Sequence, residues 1–267
     1  MTGFETSAHT VRESPADDGD TLPTGGDGVF DDETAGRYRS SLRRGVSVLR
    51  RTPPTPLDRL VERIWQASWA LPEGQQVAPE VVTNPAVTLT FEQGTATITG
   101  LGSLRYRREL VGRGRVLGLV FRPGCFRPLL GRSVETLTEQ SVPAHDVFGP
   151  SMLQLQAELQ HPMPLDSQIA LLVDYFSPMI PPERTTSEAV ADLISRINRE
   201  PAIGGVGDVC RRLGLGRRQL HRLFNDHVGV SPKWVIDRRP VRPEIEPGYR
   251  PPATWSQLAH DLSEGAS

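Results

Sequence analysis

The chain has 267 residues, of which 37% are apolar, and its 30 basic and 32 acidic side chains leave a net charge of -2. That length admits one or two folded units, and 25 Gly with 24 Pro predict a core diluted by loops. The near-neutral total excludes a uniformly basic nucleic-acid coat, but it averages segments of opposite sign.

Residues 1–34 carry nine acids (Glu5, Glu13, Asp17, Asp18, Asp20, Asp27, Asp31, Asp32 and Glu33) and one base, Arg12. Set among Gly, Ser, Thr and Pro, they cannot bury a core and are expected to be disordered. The charge then flips. Between residues 35 and 59 lie Arg37, Arg39, Arg43, Arg44, Arg50, Arg51 and Arg59, with the single acid Asp58. A solvated mobile arm and a DNA-touching arm are both compatible with such a run. Residues 1–55 are therefore read as a disordered, acidic-then-basic arm.

Order is expected from Pro56. Leu57, Leu60, Val61, Ile64 and Trp65 recur at i, i+3, i+4, i+7 and i+8, which predicts an amphipathic helix. Five short strands follow, over residues 77–83, 86–92, 95–99, 103–110 and 115–122. Alternation in Val87-Thr88-Leu89-Thr90-Phe91 marks a half-buried strand, and Glu92-Gln93-Gly94 marks a hairpin turn. The unbroken apolar run Val116–Phe121 predicts the most buried strand. A short helix is expected over residues 126–130, irregular chain to about Phe148, then helices over 152–159, 167–176 and 187–199. Thr186 or Ser187 can cap the last of these. Pro178, Pro181 and Pro182 mark a domain boundary before it.

The strongest functional signal runs from Val206 to Val235. Val206, Val209, Cys210 and Leu213 share one face of a short helix, and Gly214-Leu215-Gly216 makes a tight turn. A second helix from Arg217 to about His227 places Leu220, Leu223 and Phe224 on its inner face. Gly229 suits the C-terminal cap, and Ser231-Pro232 restarts a helix. Two helices joined by a Gly-centred turn form a helix-turn-helix, whose second helix enters the major groove. Arg217, Arg218, His221, Arg222 and Asn225 fall on its outer face. From Gly205 to Arg242 nine bases face three acids, a local charge of +6 that suits phosphate. On pattern alone, a helical hairpin with an Arg-rich solvated face fits equally well.

The string RRLGLGRRQLHRLFNDHVGVSPKWV resembles the first helix-turn-helix of AraC-family transcription regulators. Leu213-Gly214-Leu215, Leu220, Phe224, Gly229, Ser231 and Pro232 fall where that family places them. Upstream, Leu60–Trp65 with Trp69, Gly112-Arg113-Gly114, Gly118–Gly124 and Val147-Phe148-Gly149 resemble the uncharacterised N-terminal domain of one subgroup. The resemblance spans roughly Pro56 to Val235. It implies base reading by Arg218, His221 and Arg222, and phosphate contact by Arg217 and Asn225. Gly216 stands where the family commonly has a Ser cap, and Cys210 where it has a small Ala; Cys210 is read as a small buried hydrophobe.

The family continues through a linker helix into a second helix-turn-helix. Here Pro240, Pro243 and Pro247 cannot share one straight helix, which restricts the Ser-Pro helix to residues 232–239. Residues 254–262 resemble the first helix of that second motif, with Thr254 as cap. A truncated or frame-disrupted regulator with weakened DNA affinity is expected.

The fold class is thus α+β: an antiparallel β-rich sensing or dimerisation domain with flanking helices over 56–180, an all-α helix-turn-helix domain over 183–239, and a Pro-rich tail with a remnant helix over 240–267. The expected function is a sequence-specific DNA-binding transcriptional regulator. The alternative is a non-DNA-binding ligand or protein-interaction module with a vestigial helix-turn-helix. Double-stranded DNA is the expected partner, with room for a small-molecule effector and a homodimer.

Enzyme chemistry finds little purchase. The six His form no HExxH or Cys/His set at zinc spacing, and no G-x-S-x-G occurs. No cofactor, metal or catalytic residue is expected. Gly112-x-Gly114 and Gly204-Gly205-x-Gly207 read as turns, His145-Asp146 as plain surface, and Trp65 with Trp69 as core. Tyr106 with Arg105, Arg107 and Arg108 reads as an exposed strand face or an anion site. Cys125 and Cys210 suggest no disulfide, no run approaches about 18 apolar residues, and the acidic N-terminus is no secretory signal. The expected compartment is the cytoplasm, with no membrane partner.

Overall fold

The computed structural model describes residues 45–77, 80–81, 86–102, 106–107, 109–239 and 253–264. Its first part is an antiparallel sheet. The strands are β1 (Val46–Arg51), β2 (Val61–Ala70), β3 (Gln76–Val77), β4 (Glu80–Val81), β5 (Thr88–Glu92), β6 (Thr95–Thr99), β7 (Tyr106–Arg107), β8 (Leu110–Val111), β9 (Arg113–Phe121) and β10 (Ser141–Pro143). Six form the main sheet in the order β1-β2-β9-β5-β6-β10, while β3 pairs with β8 and β4 with β7. The apolar run of residues 116–121 becomes the sheet's centre, with Leu117, Leu119 and Phe121 buried. The β5–β6 hairpin turns through Gln93 and Gly94, both at positive φ (46° and 73°), the geometry of a two-residue type I′ turn.

The helix expected from Leu57 is not there. Leu57–Arg59 make one 3-10 turn and the chain then enters β2. Two local features mimic a helical period. Leu57 and Leu60 are buried three apart because the 3-10 turn repeats every three residues. Val61 and Ile64 share the core face because the register shifts between Val61 and Arg63, and a bulge moves the next residue to the other face. Trp65 and Trp69, four apart, lie over Gly118 and Gly114 of β9. A Cβ at either glycine would overlap the indole above it, so both must be Gly.

β1 is a second correction. Its residues fell within the arm, yet Val46, Val48 and Arg50 are half-buried while Ser47, Leu49 and Arg51 are exposed. That alternation becomes a strand only as an edge on β2. Arg50 and Arg51 thus belong to the sheet, and Arg59 is committed elsewhere, as described below. Arg37, Arg39, Arg43 and Arg44 lie outside the described residues, as do most of the 78–85 and 103–108 segments and Pro240, Pro243 and Pro247.

The helices are α1 (Arg127–Leu130), α2 (His145–Phe148), α3 (Ser151–Gln160), α4 (Leu165–Phe176), α5 (Thr186–Arg199), α6 (Val206–Leu213), α7 (Arg217–His227), α8 (Pro232–Asp237) and α9 (Trp255–Glu264). The stretch before Phe148 read as irregular holds a 3-10 helix at Val134–Leu137 as well as β10 and α2. α3 packs on β5 and β6. Phe121 meets Phe126 edge-on at 4.7 Å, and Phe176 meets Phe148 at 5.5 Å. α5 is capped by Thr185, one residue before the expected caps: the Glu188 amide donates to Thr185 Oγ1 (3.3 Å) while the Thr185 amide donates to Glu188 Oε2 (2.9 Å). One continuous apolar core, from Leu57 through Leu172 to Leu262, joins the sheet to the helices.

Candidate nucleic-acid interface

α6 and α7 meet at a corner built by Gly214, whose φ of +68° closes α6. Val209, Leu213, Leu215, Leu220, Leu223 and Phe224 are buried, so the inner faces of both helices are spent on the core. Gly216 begins α7 in extended conformation; it has no capping hydroxyl, but its own amide donates to Gln219 Oε1 at 2.9 Å. At the other end the Gly229 amide donates to the Phe224 carbonyl (2.9 Å) at φ +88°, a glycine-closed helix end. Ser231 caps α8, accepting from the Trp234 amide at 3.2 Å, and Pro232 takes the first turn. α8 ends at Asp237 rather than at Arg239.

Arg217, Arg218, His221 and Arg222 are exposed on the outer face of α7. Asn225 is half-buried: its Nδ2 donates to Glu135 Oε1 (3.1 Å), and its carbonyl accepts from Ser133 Oγ (3.2 Å). Four of the five expected side chains therefore share an open face, and the fifth is held by the sheet region. Several other described cations of the +6 segment are engaged as well. Arg211 pairs with Asp208, Arg212 with Glu200 (2.9 Å) and Lys233 with Asp237 (2.6 Å), while Arg238 stacks on Trp234 at 4.3 Å.

α7 is held in place by groups that the sequence did not single out. Arg127 Nε donates to Asp226 Oδ1 at 3.0 Å, and Thr138 Oγ1 donates to the Gly229 carbonyl at 2.7 Å. His227 Nδ1 lies 3.0 Å from Ser187 Oγ, and burial pushes its pKa below the ordinary imidazole value. Ser187, His227 and Asp226 have the residue types of a hydrolytic triad, but Ser187 is only 2% exposed, sealed from any substrate. Cys125, also buried at this junction, has its thiol pKa pushed up to about 12 by desolvation. Cys210, expected to be buried, is half-buried.

A chain of ion pairs fastens α5 to the sheet. The Arg59 guanidinium grips Glu188 through Nε–Oε1 (3.0 Å) and Nη2–Oε2 (2.9 Å), and donates to the carbonyl oxygens of Pro181 and Glu183. Arg122 and Arg184 share Asp192, each at 2.9 Å, and Arg184 reaches Asp261 of α9 at 3.1 Å. α9 carries the cap expected at Thr254, whose Oγ1 accepts from the Gln257 amide (3.3 Å). Trp255 lies between Arg196 and Arg212 and donates to Glu200 at 3.1 Å. No signal for these partnerships exists in a sequence where 29 of 30 Lys and Arg are Arg.

A cavity of about 190 Å³ opens between the β5–β6 turn and α3, lined by Glu92, Arg115, Gln156, Gln160 and Gln168 over Phe91. Gln156 is spent on Gly94 and Ala96, and Gln168 on Gln66 and Met163. Among the described residues no group of three or more His, Cys, Asp or Glu could hold a metal ion, and no helix is long and apolar enough to cross a membrane.

Residues 49–143, from within β1 to the end of β10, match a family described as a domain of unknown function (DUF6597). No curated protein and no solved structure matches the chain. The sheet region thus carries a DUF6597 domain, and the match ends before the helix-turn-helix.

Proposed function

We propose that the chain is a sequence-specific DNA-binding transcriptional regulator of AraC type that reads the major groove with α7. The observation that carries this reading is the outward face of Arg217, Arg218, His221 and Arg222 on the second helix of a glycine-cornered pair. A guanidinium fork matches guanine O6 and N7, and each good bidentate pair discriminates by about 1–3 kcal/mol. Arg217, in the first turn of α7, suits a phosphate. The DUF6597 domain would carry an effector signal or a dimer contact to α5 through the Arg59–Glu188 pair and to α7 through the Arg127–Asp226 pair.

The second reading, an interaction module with a vestigial helix-turn-helix, draws on the one Asn225 donor that Glu135 withdraws from the open face. Selection from a random duplex pool followed by fluorescence anisotropy separates the two. The regulator enriches a motif, and Arg218→Ala with Arg222→Ala lowers preference for it by about 30-fold or more. Binding that is salt-sensitive but blind to sequence in both proteins rejects the regulator.

A further inference from the structure

We propose that the DUF6597 domain itself supplies one edge of the DNA-contacting surface, with Arg132 as a phosphate contact and Glu135 as the positioning residue for Asn225. The proposal rests on the DNA-binding reading of α7. The 3-10 helix at Val134–Leu137 packs against α7. Ser133 Oγ bonds the Asn225 carbonyl (3.2 Å), and Glu135 Oε1 accepts from the Asn225 amide (3.1 Å). The approach is close: a Cβ at Gly229 would stand 3.0 Å from the Val134 carbonyl oxygen. The loop at residues 131–136 is therefore fixed beside the C-terminal half of α7.

Distance along the helix assigns the roles. Arg217 and Asn225 are eight residues apart, about 12 Å along the axis, and the major groove is about 12 Å wide. With Arg217 at one wall, groups anchored at Asn225 reach the opposite one, where phosphates run. Arg132, the chain neighbour of Ser133 on this loop, is exposed and is bonded to no other described residue. Arg127, the other nearby base, is engaged by Asp226 at 3.0 Å. Glu135 takes one N–H of Asn225 and so orients the amide, leaving its second N–H and its Oδ1 for a base edge. An amide without that anchor turns freely and discriminates less.

The test uses the full chain and its own selected duplex. Arg132→Ala weakens all duplexes alike and removes about one phosphate from the salt dependence. Over a fourfold rise in salt, the variant then loses about 3.5-fold less affinity than the wild type. Glu135→Ala relaxes base preference at one outer position by about fivefold or more, whereas Glu135→Gln, which keeps an acceptor oxygen, retains it. Both side chains are exposed, and thermal melts matching the wild type confirm an intact fold. Unchanged salt dependence in Arg132→Ala, or unchanged base preference in Glu135→Ala, overturns the proposal and leaves the role of α7 standing. A wild type that selects no motif overturns the reading of α7 and the proposal with it.

Discussion

Removing the Arg59 side chain tests whether the ion-pair chain holds the helices to the sheet. Glu188 is 7% exposed, and its carboxylate keeps only the Thr185 amide and hydroxyl once Arg59 is gone. Breaking a buried pair from one side costs about 3–5 kcal/mol, because a charge is left without its partner. The surviving Thr185 bonds bring the expectation for Arg59→Ala to about 2–3 kcal/mol. At this size that lowers the melting temperature by roughly 4–12 °C. Urea unfolding of wild type, Arg59→Ala, Glu188→Gln and the double variant gives the coupling energy. The double variant leaves no buried unpaired charge, so it should be less destabilised than the two single effects added together. A loss under about 1 kcal/mol in Arg59→Ala, or strict additivity around the cycle, refutes the clamp.

Acid should loosen the same junction. The folded-state pKa of His227 is depressed below 6.5, chiefly by burial, with Arg127 acting the same way against Asp226 and a hydrogen bond to the Gly124 backbone. Stability is therefore complete above pH 6.5 and falls as pH drops from there to the depressed value, since the unfolded chain takes up the proton first. Urea midpoints at pH 7.5 and 5.5 should differ, and His227→Gln should shrink the difference; an identical difference in both proteins removes His227 as the cause. Glu188, also depressed, acts in a lower window, beginning only below its ordinary 4.5. Gly118→Ala drives a methyl into the Trp65 ring and should cost about 1–3 kcal/mol, while Gly131→Ala, with open space, should lack that clash penalty and show only its backbone cost. Equal losses measured by thermal melts at the two sites count against the indole contact. Alkylation mapped by mass spectrometry should modify Cys210 first and Cys125 only on unfolding. Native labelling of Cys125 ahead of Cys210 contradicts the sealed junction.

The readings that held were those whose causes are local. The α6–turn–α7 pair was visible because apolar spacing, Gly214 at the corner, Gly229 at the end and Ser231-Pro232 at the restart lie within thirty residues and need no distant partner. The β5–β6 hairpin was visible for the same reason, since Gln93-Gly94 makes its own turn. The expected fold class, a β-rich first part followed by helices, rests on such local signals. Local logic failed between Leu57 and Trp65, where a 3-10 turn and a β-bulge reproduced a helical period.

What tertiary structure alone decided is which partner each charged group took. Among 29 arginines, nothing in the order of residues says that Arg59 meets Glu188, 129 positions away, or that Asn225 meets Glu135 across 90. β1 exists as a strand only because β2 lies beside it. Hydrogen bonds within one turn of chain are specified by neighbours, and so are written in the sequence. Burial and charge pairing depend on which distant surfaces the continuous core brings together, and that became fixed only when sheet and helices closed on one another.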